Sequence, residues 1–310
     1  MIAIRIAILG LLLVFFSCKE KDKHGNVLDT PTGGTIKIAV DESLRPLVEA
    51  ELMAFEGIYD QAHVVPVYTS EEEAIRLLIR DSVRLAFVTR KLTTEELIPF
   101  EREKITPPQV GIATGAVAII LNKSNPDSLI RVSQLRDILA GKIAKWKQLN
   151  PSSSDDLIEV IFDNPLSGIA RFLKDSLANG NPLPSNAFAV RSNEAVIDYI
   201  SAKPNAIGFI GSEWISDSND STANRFLNTI RVASLAGDST YFLPYQAYIA
   251  LHHYPLCRNT FVISREARSG LGSGFIAFVT SDKGQRIVLK AGLVPATMPV
   301  RIVEINSDNQ

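Results

Sequence analysis

Apolar and polar positions alternate at the start of the folded part, where Thr35-Ile36-Lys37-Ile38-Ala39-Val40 has the period of a strand. Asp41-Glu42-Ser43 then offers capping side chains, and Leu44 to Phe55 repeats its apolar residues at helical spacing. The rhythm recurs. His63 to Tyr68 predicts a second strand, which leads through Thr69-Ser70 into a helix from Glu71 to Arg80. A third strand, Arg84 to Val88, stops at Thr89-Arg90. Strands and helices alternating in this way predict a parallel α/β sheet, in which ligands gather at the carboxyl ends of the strands.

The second half continues in the same manner. Gly115 to Leu121 is an unbroken apolar strand ending in a turn, Asn122 to Pro126, and a helix follows from Val132 to Ala140. Ile158 to Phe162 predicts a further strand that runs through Asp163-Asn164-Pro165-Leu166-Ser167-Gly168 into a helix from Ile169 to Leu177. Ala206 to Ile210 reads as a buried strand, and Phe275 to Ala291 as one amphipathic helix. There is no fixed-period repeat and no low-complexity tract.

The 310 residues are 46% apolar, enough for two domains of ordinary size. A formal net charge of -2 and the lack of a Lys/Arg-rich run argue against nucleic acid as a partner. The first eighteen residues predict an export signal: Arg5, an apolar run from Ile6 to Phe16 too short to span a bilayer, then Ser17-Cys18. Val14 to Cys18 resembles a bacterial lipobox, so Cys18 is the expected lipid attachment site and residues 19–34 the expected flexible tether. Cys257 is then left without a disulfide partner and reads as a small buried hydrophobe. The four histidines, His24, His63, His252 and His253, lack zinc-site spacing, the last two being read as neighbours on a strand. No metal or cofactor is expected. No Gly-x-Ser-x-Gly elbow, His-Glu-x-x-His helix or P-loop is present, and an enzyme is not expected.

Several segments resemble, in order and spacing over about residues 35–305, the substrate-binding proteins of Pst-type phosphate ABC transporters. They are Gly115 to Asn122 with Asn125-Pro126; Leu135 to Ile143 with Trp146; Pro204-Asn205-Ala206-Ile207-Gly208-Phe209-Ile210; Tyr254-Pro255-Leu256; Ser281 to Ile287; and Ala291 to Pro295. The resemblance implies a two-lobed periplasmic binding protein-like fold of type II, each lobe a mixed sheet flanked by helices, with two hinge crossings. Lobe 1 would take residues 35–112 plus 257–305, and lobe 2 residues 113–256. It implies a monomeric, lipid-anchored receptor on the periplasmic side of the envelope that binds phosphate or a similar oxyanion between the lobes. ABC permease subunits would be its partners. The alternative is a surface or periplasmic lipoprotein of the same fold that acts in sensing or adhesion.

A dry oxyanion needs converging N–H and O–H donors, which helix starts supply. The family's Gly-Ser-Ser/Thr-Thr loop falls on Val40 to Ser43 and keeps only Ser43 as a hydroxyl. Asp41 and Glu42 read either as charges on a solvated loop or as acceptors for a protonated ligand oxygen. The family's Arg-x-x-Gly-Ser-Gly-Thr falls on Asp163 to Ile169, where Ser167 and Gly168 survive and the arginine and threonine are lost. Arg171 and Arg90 are the candidate guanidinium forks, Arg90 standing with Thr89 at a strand end. Ser70, at the end of the second strand, completes the set.

Overall fold

The computed structural model describes residues 29–300. The expected leader, Cys18 and residues 19–28 of the expected tether lie outside the described residues, whereas its remainder, residues 29–34, is held on the fold: Asp29 Oδ1 accepts from the Leu271 N–H at 2.8 Å and Gly33 opens the first strand. The expected strand–helix rhythm is present: β1 (Gly33–Asp41), a 3-10 turn (Glu42–Leu44), α1 (Arg45–Ile58), β2 (Gln61–Thr69), α2 (Glu71–Ile79), β3 (Leu85–Val88) and α3 (Thr94–Arg102). β1 lies parallel to both β2 and β3. The buried residues on the two faces of β1 and on the helices around it fall into two clusters. Ile38, Val40, Leu47 and Phe55 belong to one, and Ala39, Ala74, Leu78 and Phe100 to the other.

β4 (Gln109–Asn122) is twice as long as the apolar run that announced it. Gly111, Thr114 and Gly115 interrupt the hydrophobic pattern, yet they pair in register with Phe261, Asn259 and Arg258. The first half of β4 thus pairs with β11 (Cys257–Ser264), while Val117 to Leu121 pair with β8 (Ala206–Gly211). One strand therefore runs from one half of the molecule into the other. The return passes through Leu256, whose carbonyl accepts from the Val117 N–H at 2.9 Å, directly before β11. With β6 (Glu159–Phe162) and β7 (Ala187–Ala189), the sheet order β2-β1-β3-β11-β4-β8-β6-β7 makes a mixed sheet, because β11 is antiparallel to both of its neighbours. A mixed sheet is what the resemblance implied, and the parallel arrangement expected of the first three strands holds for β1, β2 and β3. Sequence rhythm records alternation, whereas strand direction depends on where a long connection returns.

Within the second half come β5 (Leu129–Arg131), α4 (Val132–Leu139), α5 (Trp146–Leu149), β6 (Glu159–Phe162), α6 (Gly168–Ser176), β7 (Ala187–Ala189) and α7 (Asn193–Ala202). After β8 a second 3-10 turn (Ser212–Trp214) precedes α8 (Ser221–Thr229), β9 (Ile230–Val232), β10 (Ser234–Ala236) and α9 (Gln246–Ala250). Trp146, in the corner matched by resemblance, is buried and donates its indole N–H to the Asn205 carbonyl at 2.9 Å. Gly208 is small for a reason: a Cβ there would come within 2.7 Å of Ile200 and 2.9 Å of Val196 on α7. Close helix-to-strand packing is what the Asn-Ala-Ile-Gly stretch provides.

Two expectations are corrected here. Phe275 to Ala291 is not one helix but two, α10 (Leu271–Thr280) and α11 (Asp282–Lys290), before the closing strand β12 (Val294–Pro295). Ser281 breaks the run by adopting extended backbone, accepting from the Gly284 N–H and donating to the Phe278 carbonyl. His252 and His253 stand in the turn after α9 and not on a strand, with His252 at φ 54° and the His253 ring against Phe242. Cys257 is half-buried, and burial pushes its thiol up to about 11, which suits the expectation of an inert residue.

Candidate functional site

The carboxyl ends of β1 and β3 and the starts of α2, α6 and α7 meet along the seam between the two halves. Ser43, Ser70, Thr89, Ser167 and Gly168 are all buried there. Asp41 joins the two helix starts that the sequence singled out. Its Oδ1 accepts from the Ser43 N–H at 2.9 Å and from the Ser43 hydroxyl, while its Oδ2 accepts from the Gly168 N–H at 2.8 Å. Ser167 caps α6 in the expected manner, its Oγ accepting from the Ala170 N–H, and its hydroxyl donates to Asp163 at 2.6 Å.

Glu71, the first residue of α2, is the second crossing point. Its Oε2 accepts from the Thr89 N–H at 2.6 Å and the Thr89 hydroxyl at 2.5 Å, and its Oε1 pairs with Arg171 Nε at 2.5 Å. Arg171 also donates to Thr89 Oγ1 at 3.0 Å, so it reaches the seam as the sequence suggested. Arg90 does not share this position. Its guanidinium forks onto Glu96 at 2.6 and 2.8 Å within its own half and stays 3.6 Å from Glu71. Ser70 spends its hydroxyl on capping α2 through the Glu73 N–H.

Asp41 and Glu42 are buried, which corrects their reading as charges on a solvated loop. Glu42 Oε2 accepts from the backbone and side-chain N–H groups of Asn193, at 2.9 and 2.7 Å, at the start of α7. The physical reason is that helix starts present unsatisfied N–H groups and a positive dipole end, and a buried carboxylate satisfies both. The local pattern carries no sign of partners 127 and 151 residues away.

Burial dominates the electrostatics of the seam. It raises the carboxyl of Asp41, further lifted by the charge of Glu71, and it raises Glu42 despite the Asn193 donors. Asp163 is pushed up to about 7 by burial and by the nearby Asp41. Glu71 differs: burial works against its charge, but the Arg171 guanidinium and the Thr89 donors outweigh it and hold it below the usual carboxylate range.

Arg258, Glu213 and Trp214 belong to the site and escaped the sequence reading. Arg258 Nη2 donates to Ser43 Oγ at 3.0 Å and to Glu213 Oε1 at 3.1 Å, with both charged side chains almost wholly buried. Arg258 Nη1 and Glu213 Oε2 are buried and have no hydrogen-bond partner among the described residues. The Trp214 indole N–H donates across the seam to the Ser43 carbonyl at 2.8 Å. The available signal for Arg258 was a lone arginine in the otherwise uncharged strand Cys257 to Ser264.

The domain profile of the PBP superfamily matches residues 26–283. The chain belongs to that superfamily. Among curated proteins it is similar to the phosphate-binding protein PstS of Borreliella burgdorferi, 25% identical over 289 residues that cover 91% of this chain and 94% of that protein. The PstS of Staphylococcus aureus strain USA300 is 23% identical over 293 residues, covering 93% of this chain and 86% of its own length. Among solved structures, an ABC-type phosphate transport receptor from Vibrio cholerae superposes with a TM-score of 0.63 at 20% identity, covering 84% of this chain and 100% of that one. A Clostridium perfringens structure with bound phosphate, described as an ABC transporter substrate-binding protein, gives a TM-score of 0.72 at 22% identity. It covers 85% of this chain and 100% of its own. These superpositions establish the α/β fold, a mixed sheet with flanking helices, that the chain shares with those structures.

Proposed function

We propose that this protein is the extracytoplasmic receptor of an ABC importer and binds phosphate or a closely similar oxyanion in the seam between its two lobes. The observation that carries the reading is the convergence of donors. The Gly168 N–H at the start of α6, Thr89 N–H and Oγ, Arg171, Ser43 and Arg258 all point into one buried place between the halves. Such a set matches the charge and oxygen count of a tetrahedral anion. Kinship with PstS proteins supports phosphate in particular. In this reading lobe 1 comprises residues 35–112 and 257–300, the expected end at residue 305 lying outside the described residues, lobe 2 comprises residues 113–256, and β4 and the segment before β11 are the hinge crossings. Ser43, Thr89, Ser167, Gly168 and Arg171 touch the ligand. Arg90 and Ser70 shape the rim, and binding makes and breaks no covalent bond. The export signal and Cys18 support a lipid anchor in the cell envelope, with permease subunits as partners.

The test is a thermal-denaturation screen against phosphate, arsenate, sulfate and molybdate. A ligand present at one hundred times its dissociation constant should add about 2.7 kcal/mol of stability. Absence of a shift with every oxyanion at millimolar concentration contradicts transport and leaves the sensing or adhesion reading, which the carboxylates already seated on the donors favour.

A further inference from the structure

The donors that an oxyanion would use are already occupied by this chain's own carboxylates. Gly168 gives the measure of how completely. A methyl group added there would come within 2.6 Å of Thr89 Oγ1, 2.9 Å of Glu71 Oε2 and 3.0 Å of Asp41 Oδ2. Two carboxylates from the first half therefore fill the space in front of the α6 N-terminus, leaving none for a ligand oxygen. They make the contacts that an oxyanion makes: an Asp41 carboxyl oxygen on the helix-start N–H, and Glu71 oxygens facing a guanidinium and a hydroxyl.

Resting on the oxyanion reading above, we propose that Asp41 and Glu71 are built-in competitors for the ligand: they close the cleft of the ligand-free protein and set the affinity threshold an oxyanion must exceed. The two halves are joined directly by Asp41 to Gly168, Glu71 to Arg171, Glu42 to Asn193, Trp214 to Ser43 and the Glu72 N–H to the Leu166 carbonyl. A group tethered in the same chain competes at high effective concentration. The apparent affinity for a free anion falls by the fraction of molecules whose donors are vacant. Phosphate cannot simply enter beside the two carboxylates, since its charge would face theirs in a dry site. Displacement is the remaining route. Arg258 Nη1, buried and unpaired next to Ser43, is a donor that the internal carboxylates leave unused, and it gives a true ligand something they cannot match.

The experiment compares the full protein with Asp41→Ser, Glu71→Gln and the double variant, measuring phosphate by equilibrium dialysis and particle size by small-angle scattering. The unmodified protein is expected to have the same radius of gyration with and without phosphate. Each single variant is expected to bind phosphate at least tenfold more tightly, and the double variant to expand without phosphate and contract with it. Trp214 fluorescence should follow the expansion, whereas the other tryptophan, Trp146, is bonded within its own half and stays constant. Where the parent binds phosphate, an affinity unchanged or weaker in both single variants overturns the proposal, as does a ligand-free parent that is already expanded. If no form binds phosphate and the double variant still opens, the internal latch stands and the transport reading falls. Should Asp41→Ser fail to fold, Asp41→Asn keeps the size, removes the charge and serves the same comparison.

Discussion

Glu51 offers a measurement of the cost of a buried carboxyl that has no partner at all. It lies on the inward face of α1 among Leu47, Val48, Leu52 and Phe55, is fully inaccessible, and neither carboxyl oxygen has a hydrogen-bond partner. Burial pushes its pKa from 4.5 up to about 9. Below pH 4.5 both folded and unfolded chains hold the proton, so the group is neutral in the balance. Above it the unfolded chain ionises while the native state does not, and stability is lost with rising pH until about 9. At pH 7 the loss works out at about 3 kcal/mol, from 1.36 kcal/mol per pH unit over the interval above the ordinary value. Glu51→Gln has no proton to lose. Urea unfolding of both proteins from pH 5 to pH 8 should give stability differences that diverge in favour of the variant by about 4 kcal/mol across that range. The fixed cost of burying an amide shifts the curve without changing its slope. Parallel curves would refute the argument, because they would mean that Glu51 ionises in the native state or is reached by water.

Other perturbations address the seam and the core. Gly168→Ala puts a methyl against Thr89 and Glu71 and should cost about 1–3 kcal/mol of stability by chemical denaturation, with loss of any phosphate-induced shift. Arg258→Met leaves Glu213 buried without its ion pair, a loss of about 3–5 kcal/mol. Since burial already raises the Glu213 carboxyl, that loss should be smaller at pH 5 than at pH 8, read from melting temperatures at the two values. Ser281→Ala removes the cap that starts α11 and should cost about 1 kcal/mol with no effect on ligand binding, again by chemical denaturation.

Local chemistry made much of this fold legible. The β1–α1–β2–α2–β3 run was readable because strand alternation, a capping residue and helical spacing agree at each step, as at Ser70 with Glu71 to Ile79. Ser167 was readable for the same reason, as a cap at a strand-to-helix corner. The length of β4 was not, since Gly111, Thr114 and Gly115 earn their places through cross-strand partners and not through hydrophobicity. α7 was not placed either, although Ser192 caps it, because the strand that leads into it, Ala187–Ala189, is only three residues long and too short to announce a strand-to-helix unit.

The candidate site divides in the same way. Sequence position alone brought Ser43, Ser167, Gly168 and Arg171 to one place, as strand ends and helix starts do in α/β sheets. The role of the acids was hidden, because a carboxylate beside a helix start is usually solvated, and only the approach of the second half buries Asp41, Glu42 and Glu71. Arg90 shows the converse. A strand-end arginine was a reasonable fork for an anion, but Glu96, the acid in the Thr93 capping box of α3, lies nearer and holds it.

Equilibrium dialysis with radiolabelled phosphate, run on the protein and on Arg171→Ala at neutral pH, tests the central claim most directly. The account predicts saturable uptake of one phosphate per chain and its loss in the variant, with circular dichroism showing both proteins folded. No saturable uptake by the parent protein, or uptake that persists undiminished without Arg171, would contradict it.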